Sequence, residues 1–132
     1  MKKLMLLLFV NVIVIAKFLS IDDATLIKMQ KKGIIVIDIR TQKEQKETGI
    51  IKNAIPITFF DEKGKAHAAD FMFKLGHYIK DKNTPFIIYC AHANRSKAIG
   101  KWLNSLGFKK VYELKGGIVY GWLQKGHKAI KN

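Results

Sequence analysis

The chain of 132 residues has a single cysteine, Cys90, and a cation, Arg95, stands five positions on in Cys90-Ala91-His92-Ala93-Asn94-Arg95-Ser96. A thiol is a poor nucleophile until it loses its proton, and the sequence around Cys90 favours that loss. The apolar run Pro85 to Tyr89 reads as a short buried strand. Ala98, Ile99, Trp102, Leu103 and Leu106 then recur at helical spacing until Gly107. Strand, loop and helix in that order place the thiol at the mouth of a parallel α/β sheet. It then faces the amides that a helix N-terminus leaves unpaired. Their partial positive charge favours a thiolate and is expected to lower the Cys90 pKa below the free value of ~8.5. Arg95 adds a permanent cation, and Ser96 or Asn94 is the expected N-cap. The same features suit an anionic substrate or a bound sulfane sulfur. The rival reading of a lone cysteine at a strand end is an inert, buried thiol.

The remaining elements form a frame for that loop. Asp22 and Asp23 open a short helix that Gly33 stops, and Ile34 to Ile39 reads as a strand buried on both faces. Asp38 and Arg40 sit where this strand leaves the sheet. Lys43 to Glu47 is a charged helical turn ended by Gly49. Ala54 to Ile57 is a short strand, and Pro56 marks it as an edge or a strand end. Asp61 to Lys65 is a turn. Asp70 to Ile79 carries Phe71, Met72, Leu75, Tyr78 and Ile79 at helical spacing, which makes it a core-facing helix. Val111 to Leu114 is a further strand. Gly116-Gly117 turns the chain, and Ile118 to Lys125 closes it as a short helix with Trp122 inward. About five strands with helices between them predict an α/β three-layer domain with a mostly parallel sheet.

Several stretches resemble rhodanese-like sulfurtransferases. Cys90 to Ser96 is similar to their active-site loop, often Cys-x-x-Gly-x-Arg-Ser. Ile35 to Arg40 resembles the first hallmark strand. Glu44 with Thr48 to Ile57 resembles the second block, and Leu106 to Ile118 with Trp122 the closing block. The similarity runs over roughly residues 20 to 126. It implies a rhodanese-like domain over 21–132 in which Cys90 is the catalytic nucleophile. Arg95 and the loop residues Ala91, His92, Ala93, Asn94 and Ser96 bind substrate, while Asp38 and Arg40 are architectural. Gln45 stands where many members carry an aromatic, so looser packing is expected there. Ala93 replaces the usual glycine, so its backbone is expected to avoid conformations that only glycine tolerates.

The implied reaction is ping-pong sulfur transfer. A Cys90 thiolate takes a sulfane sulfur from a small anionic donor, and a thiol, cyanide or protein acceptor removes it from the persulfide. Loop amides and the Arg95 fork would stabilise the shifting charge. Ala91 occupies a position that is often basic, and an alanine there with an exported chain is also similar to periplasmic polysulfide-sulfur transferases. Donor identity therefore stays open between thiosulfate and polysulfide. A non-catalytic sulfur carrier or protein-binding module is the alternative. Phosphatases of related fold use a loop one residue longer, and the smaller ring here suits sulfur better than phosphate.

The rest of the chain bounds these readings. Lys2 and Lys3 precede an apolar run from Leu4 to Ala16, broken by Asn11. This predicts a signal peptide over 1–16, with cleavage after Ser20 as the second option and an uncleaved membrane anchor as the alternative. Export implies a periplasmic or secreted protein, where a lone cysteine has no intrachain disulfide partner. Net charge is +14, and all but two of the 24 basic residues are lysine. With little arginine and no aromatic platform among the charges, nucleic acid is not an expected partner. His67, His77, His92 and His127 lack metal-ligand spacing, so neither a metal nor a cofactor is expected.

Overall fold

The computed structural model describes residues 6–8 and 15–131. The expected leader therefore falls largely outside the described residues. Among those described, no helix is long and apolar enough to cross a membrane.

Among the described residues, five parallel strands form one sheet. In chain order they are β1 (Lys17–Ile21), β2 (Ile35–Asp38), β3 (Ile55–Pro56), β4 (Phe86–Tyr89) and β5 (Lys110–Leu114); in space the order is β1-β5-β4-β2-β3. Among the described residues four α-helices connect them, α1 (Asp23–Lys31), α2 (Gln42–Thr48), α3 (Ala68–Tyr78) and α4 (Asn94–Ser105), while α5 (Gly117–Gly121) and a 3-10 turn at Leu123–Lys125 follow β5. β4 is thus the central strand, and its carboxyl end delivers Cys90.

Strand side chains alternate between two cores, as the pleat requires. Ile37, Ile39, Phe86, Ile88, Cys90 and Val111 face one side with Phe71 and Leu75 of α3 and Ile99 and Leu103 of α4. Val36, Ile87, Tyr89 and Leu114 face the other with Leu26 of α1 and Ile118 of α5. Both faces are covered, which is why β2 and β4 read as unbroken apolar runs. Three layers follow: α3 and α4, the sheet, and α1 and α5.

Local chemistry sets the helix starts. Asp22 caps α1, its side chain accepting from the Thr25 amide at 2.8 Å. Thr41 and Glu44 form a reciprocal capping box on α2.

Four expectations are corrected. First, the domain does not start at residue 21: β1 is part of the sheet. It pairs along its whole length with β5, and the Phe18 ring lies where a side chain on Gly100 of α4 would be. A lone mid-helix glycine costs ~1 kcal/mol of helix propensity relative to alanine; here it gives Phe18 its place. Second, neither Ser96 nor Asn94 is the N-cap of α4. Asn94 is its first residue, and the cap is Ala93, with no side-chain hydrogen bond. Third, Ala93 does adopt the left-handed conformation, with φ 72° and ψ −7°. Only Cys90 to Ala93 join β4 to α4, and Ala93 makes the turn into the helix in that conformation. Nor is the region of Gln45 loosely tied. Its amide donates to the carbonyls of Asp38 at 3.2 Å and Arg40 at 3.1 Å, bonding α2 to the end of β2.

Candidate active site

Cys90 leaves β4 almost completely buried, with 1% of its surface exposed. The loop that follows is held from behind by α5. The amide of Ile118 donates to the Cys90 carbonyl at 2.9 Å, and that of Val119 to the Ala91 carbonyl at 3.1 Å. Such close approach requires Gly117, whose φ is +66°. A Cβ there would overlap the Ala91 carbonyl and sit 2.7 Å from the Cys90 oxygen. The Gly116-Gly117 pair thus supports the loop rather than merely turning the chain.

On its other side the sulfur meets the first turn of α4. The Ser96 amide donates to Cys90 Sγ at 3.4 Å, and Ser96 Oγ lies 3.6 Å from it. The first amides of a helix have no intrahelical acceptor and carry the positive end of its dipole. A sulfur anion is therefore the species this position suits.

Arg95, half-buried, reaches across to α2. Its Nη1 and Nη2 donate to the two carboxylate oxygens of Glu44, each at 2.7 Å. Glu44 raises the Arg95 pKa against the cost of burial, and the neighbouring Cys90 sulfur adds to the effect. Arg95 in turn lowers the Glu44 carboxyl below its usual range, with help from Thr41. The guanidinium is thus permanently charged and oriented before any ligand arrives. Glu44 cannot be assigned this role from sequence, because it lies 51 residues away.

Asp38 and Arg40 form a buried pair beneath this layer. Arg40 Nη2 donates to Asp38 Oδ2 at 2.8 Å and to the Gly49 carbonyl at 2.6 Å, while Nη1 donates to Thr48 Oγ1 at 2.6 Å. Burial works against the Arg40 charge, but Asp38 outweighs it and the pKa rises. Beside the pair, Tyr89 accepts from the Ile51 amide at 3.0 Å. Burial first, then Asp38, push its phenol far above the ordinary range. These groups tie β2, β4 and the end of α2 together under the loop.

The other expected residues divide by exposure. Asn94 and His92 face outward, Ala91 is half-buried and Ala93 is buried. The His92 ring lies 5.0 Å from that of Tyr120 on α5, giving the loop an aromatic rim. Glu113 carries no motif or spacing in the sequence that marks it for the site. It is fully buried on β5, and its Oε2 accepts from Ser96 Oγ at 2.5 Å. A carboxylate inside an otherwise apolar, two-faced strand was the signal available.

A central parallel strand ending in a buried thiol, met by a helix N-terminus and an oriented arginine, marks this as a three-layer α/β domain with its candidate site at the carboxyl end of the sheet. The comparisons give the family. The rhodanese-like domain model matches residues 22–125, and the chain belongs to that family. It is 32% identical over 91 residues to thiosulfate sulfurtransferase GlpE of Coxiella burnetii, a match covering 67% of this chain and 72% of that one. It is 34% identical over 107 residues to tRNA uridine(34) hydroxylase of Buchnera aphidicola. There it covers 80% of this chain but spans only 31% of the hydroxylase. Among solved structures, the polysulfide-sulfur transferase of Wolinella succinogenes superposes with a TM-score of 0.60 at 25% identity, covering 89% of this chain and 80% of that one.

Proposed function

We propose that this protein transfers sulfane sulfur through a persulfide on Cys90. The observation that carries the reading is the Cys90 sulfur itself, which receives the Ser96 amide at 3.4 Å beside a cation already oriented by Glu44. In the first half-reaction the thiolate attacks the outer sulfur of thiosulfate, or a terminal sulfur of polysulfide. A new S–S bond forms, and sulfite or the shortened polysulfide leaves with the electron pair of the broken bond. In the second, a thiol, cyanide or protein nucleophile takes the outer sulfur and returns the thiolate. The loop amide and Arg95 hold the negative charge in both states. Ala91, His92, Ala93 and Asn94 shape the rim through which donor and acceptor approach. Kinship with a named thiosulfate sulfurtransferase and likeness to a named polysulfide-sulfur transferase support both donors.

We also propose that the chain is exported and cleaved after Ala16. The basic, apolar start of the sequence supports export. The second option, cleavage after Ser20, would remove all but Ile21 of β1 and its pairing with β5.

Intact mass of the purified chain, taken after incubation with each donor and again after cyanide, tests the reaction. One added sulfur (~32 Da) is expected, lost with cyanide and absent in Cys90→Ser. No gain with either donor would overturn sulfur transfer. Labelling without turnover on small acceptors would favour the carrier reading.

A further inference from the structure

Cys90, Ser96 and Glu113 lie in one line of hydrogen bonds. The Cys90 thiol donates to Ser96 Oγ at 3.6 Å, and the Ser96 hydroxyl donates to Glu113 Oε2 at 2.5 Å. Ser96 Oγ also lies 3.1 Å from the Ala93 carbonyl. A hydroxyl has one proton, and the charged, nearer carboxylate takes it. Glu113 Oε1 is occupied by Ser20 Oγ of β1 at 2.6 Å. Ser96 and Glu113 are both 0% exposed and Cys90 is 1% exposed. Among the described residues, no lysine or arginine pairs with Glu113. The thiol therefore has a buried carboxylate, not solvent, at the far end of its hydrogen bond.

We infer that Ser96 and Glu113 form an inward proton line that lets Cys90 become a thiolate without releasing a proton to water. In this step the S–H bond breaks and its proton bonds Ser96 Oγ. The original Ser96 O–H bond breaks and that proton bonds Glu113 Oε2. The negative charge moves from carboxylate to sulfur, and no electrons are exchanged with any other group. Ser96, which touches the sulfur, then donates to the thiolate through its hydroxyl as well as its amide. Glu113 acts only through Ser96 and is a positioning residue. The inference rests on the proposed nucleophilic role of Cys90 and specifies how that nucleophile is made.

Two groups that share one proton titrate as a pair. The internal transfer supplies a pH-independent share of thiolate, which appears as a plateau at the acid end of the reactivity profile. An isolated thiol instead gains reactivity about tenfold per pH unit until it is fully ionised. Other titratable and charged groups around the line are Arg95 with Glu44, Asp38 with Arg40, Tyr89, His92 in the loop and Tyr120 on α5.

The test is the rate of Cys90 alkylation by iodoacetamide from about pH 5.5 to about pH 9, which needs no sulfur donor. Failure of the persulfide assay is thereby kept separate from failure of the line. Wild type is expected to show the plateau. Glu113→Gln keeps the shape and a hydroxyl acceptor but cannot take a proton. It is expected to lose the plateau, with alkylation at about pH 6 falling about tenfold or more. Ser96→Ala should lose it too, and Ser96→Thr should keep it. A Glu113→Gln profile like that of wild type would overturn the inference. So would faster alkylation at neutral pH, the mark of a fixed anion that merely repelled the thiolate. Circular dichroism of each variant checks folding; if Glu113→Gln does not fold, the Ser96→Ala and Ser96→Thr pair decides.

Discussion

At the scale of single residues, the site depends on groups that hold one another in place. Arg95 is useful only while its fork is aimed, and Glu44 supplies the aim through two 2.7 Å bonds. Lysine at 95 keeps the charge but offers a single nitrogen, which cannot hold both carboxylate oxygens in the plane of a fork. Arg95→Lys is expected to lower kcat/KM for an anionic donor about 100-fold, and Glu44→Gln about tenfold, measured by thiocyanate formation. Equal kcat/KM in wild type and Arg95→Lys would remove Arg95 from the site. The pair also sets an acid limit. The Glu44 carboxyl is lowered by Arg95 in the folded protein, so it binds protons more readily when unfolded. The resulting stability is complete above the ordinary glutamate range of ~4.3 and is lost as pH falls through the lowered folded value. Melting curves of Glu44→Gln should therefore converge on wild type as the solution is acidified.

At the scale of elements, the loop is shaped by its neighbours more than by its own letters. Ala93 is held left-handed, a conformation that costs ~1 kcal/mol for a residue with a Cβ. Glycine removes that cost but adds freedom to the unfolded chain, worth ~0.5–1 kcal/mol in the other direction. Ala93→Gly is thus expected to change unfolding free energy by less than ~1 kcal/mol, read from the urea midpoint. A loss well beyond that would mean the Ala93 methyl packs more tightly than its strain costs. The strand β1 is the second case. Its half-buried Phe18 packs against the space left by Gly100, so Phe18→Ala should destabilise by about 2 kcal/mol, less than a fully buried phenylalanine. Hydrogen exchange should then show faster opening along β5, the partner of β1 in register. Unchanged protection there would detach β1 from the stability of the sheet.

At the scale of the molecule, charge is the dominant property. A net +14 on 132 residues leaves many lysines without an acidic partner. Self-repulsion opposes compactness, and salt screens it over a Debye length of ~10 Å at 0.1 M. Raising ionic strength from about 0.02 M to about 0.5 M should therefore raise Tm. The same salt should slow Cys90 labelling by an anionic donor, since the positive field that draws anions toward the loop weakens. A donor rate indifferent to salt would confine the electrostatics to Arg95 and the loop amides. Asp23 adds a link between α1 and the turn that follows α5. His127 first, and then Lys125, lower its carboxyl to about 2, and the His127 ring stacks on Trp122 at 4.2 Å. The last residues are thereby tied to the start of α1.

The strand at Phe86–Tyr89, the loop at Cys90 and the helix beyond were legible in the sequence because hydrophobic periodicity and turn chemistry act within a few residues. So were the Asp22 cap and the apolar strand before Arg40. The sequence by itself determined a parallel α/β domain with one thiol at a strand end. Only the tertiary structure decided what surrounds that thiol. Glu44 meets Arg95 across 51 residues, Glu113 meets Ser96 across 17 and Ser20 across 93. No periodicity encodes such meetings. They arise because a parallel sheet aligns the carboxyl ends of strands distant in sequence, and because burial there leaves each polar group only the partners that the packing brings to it.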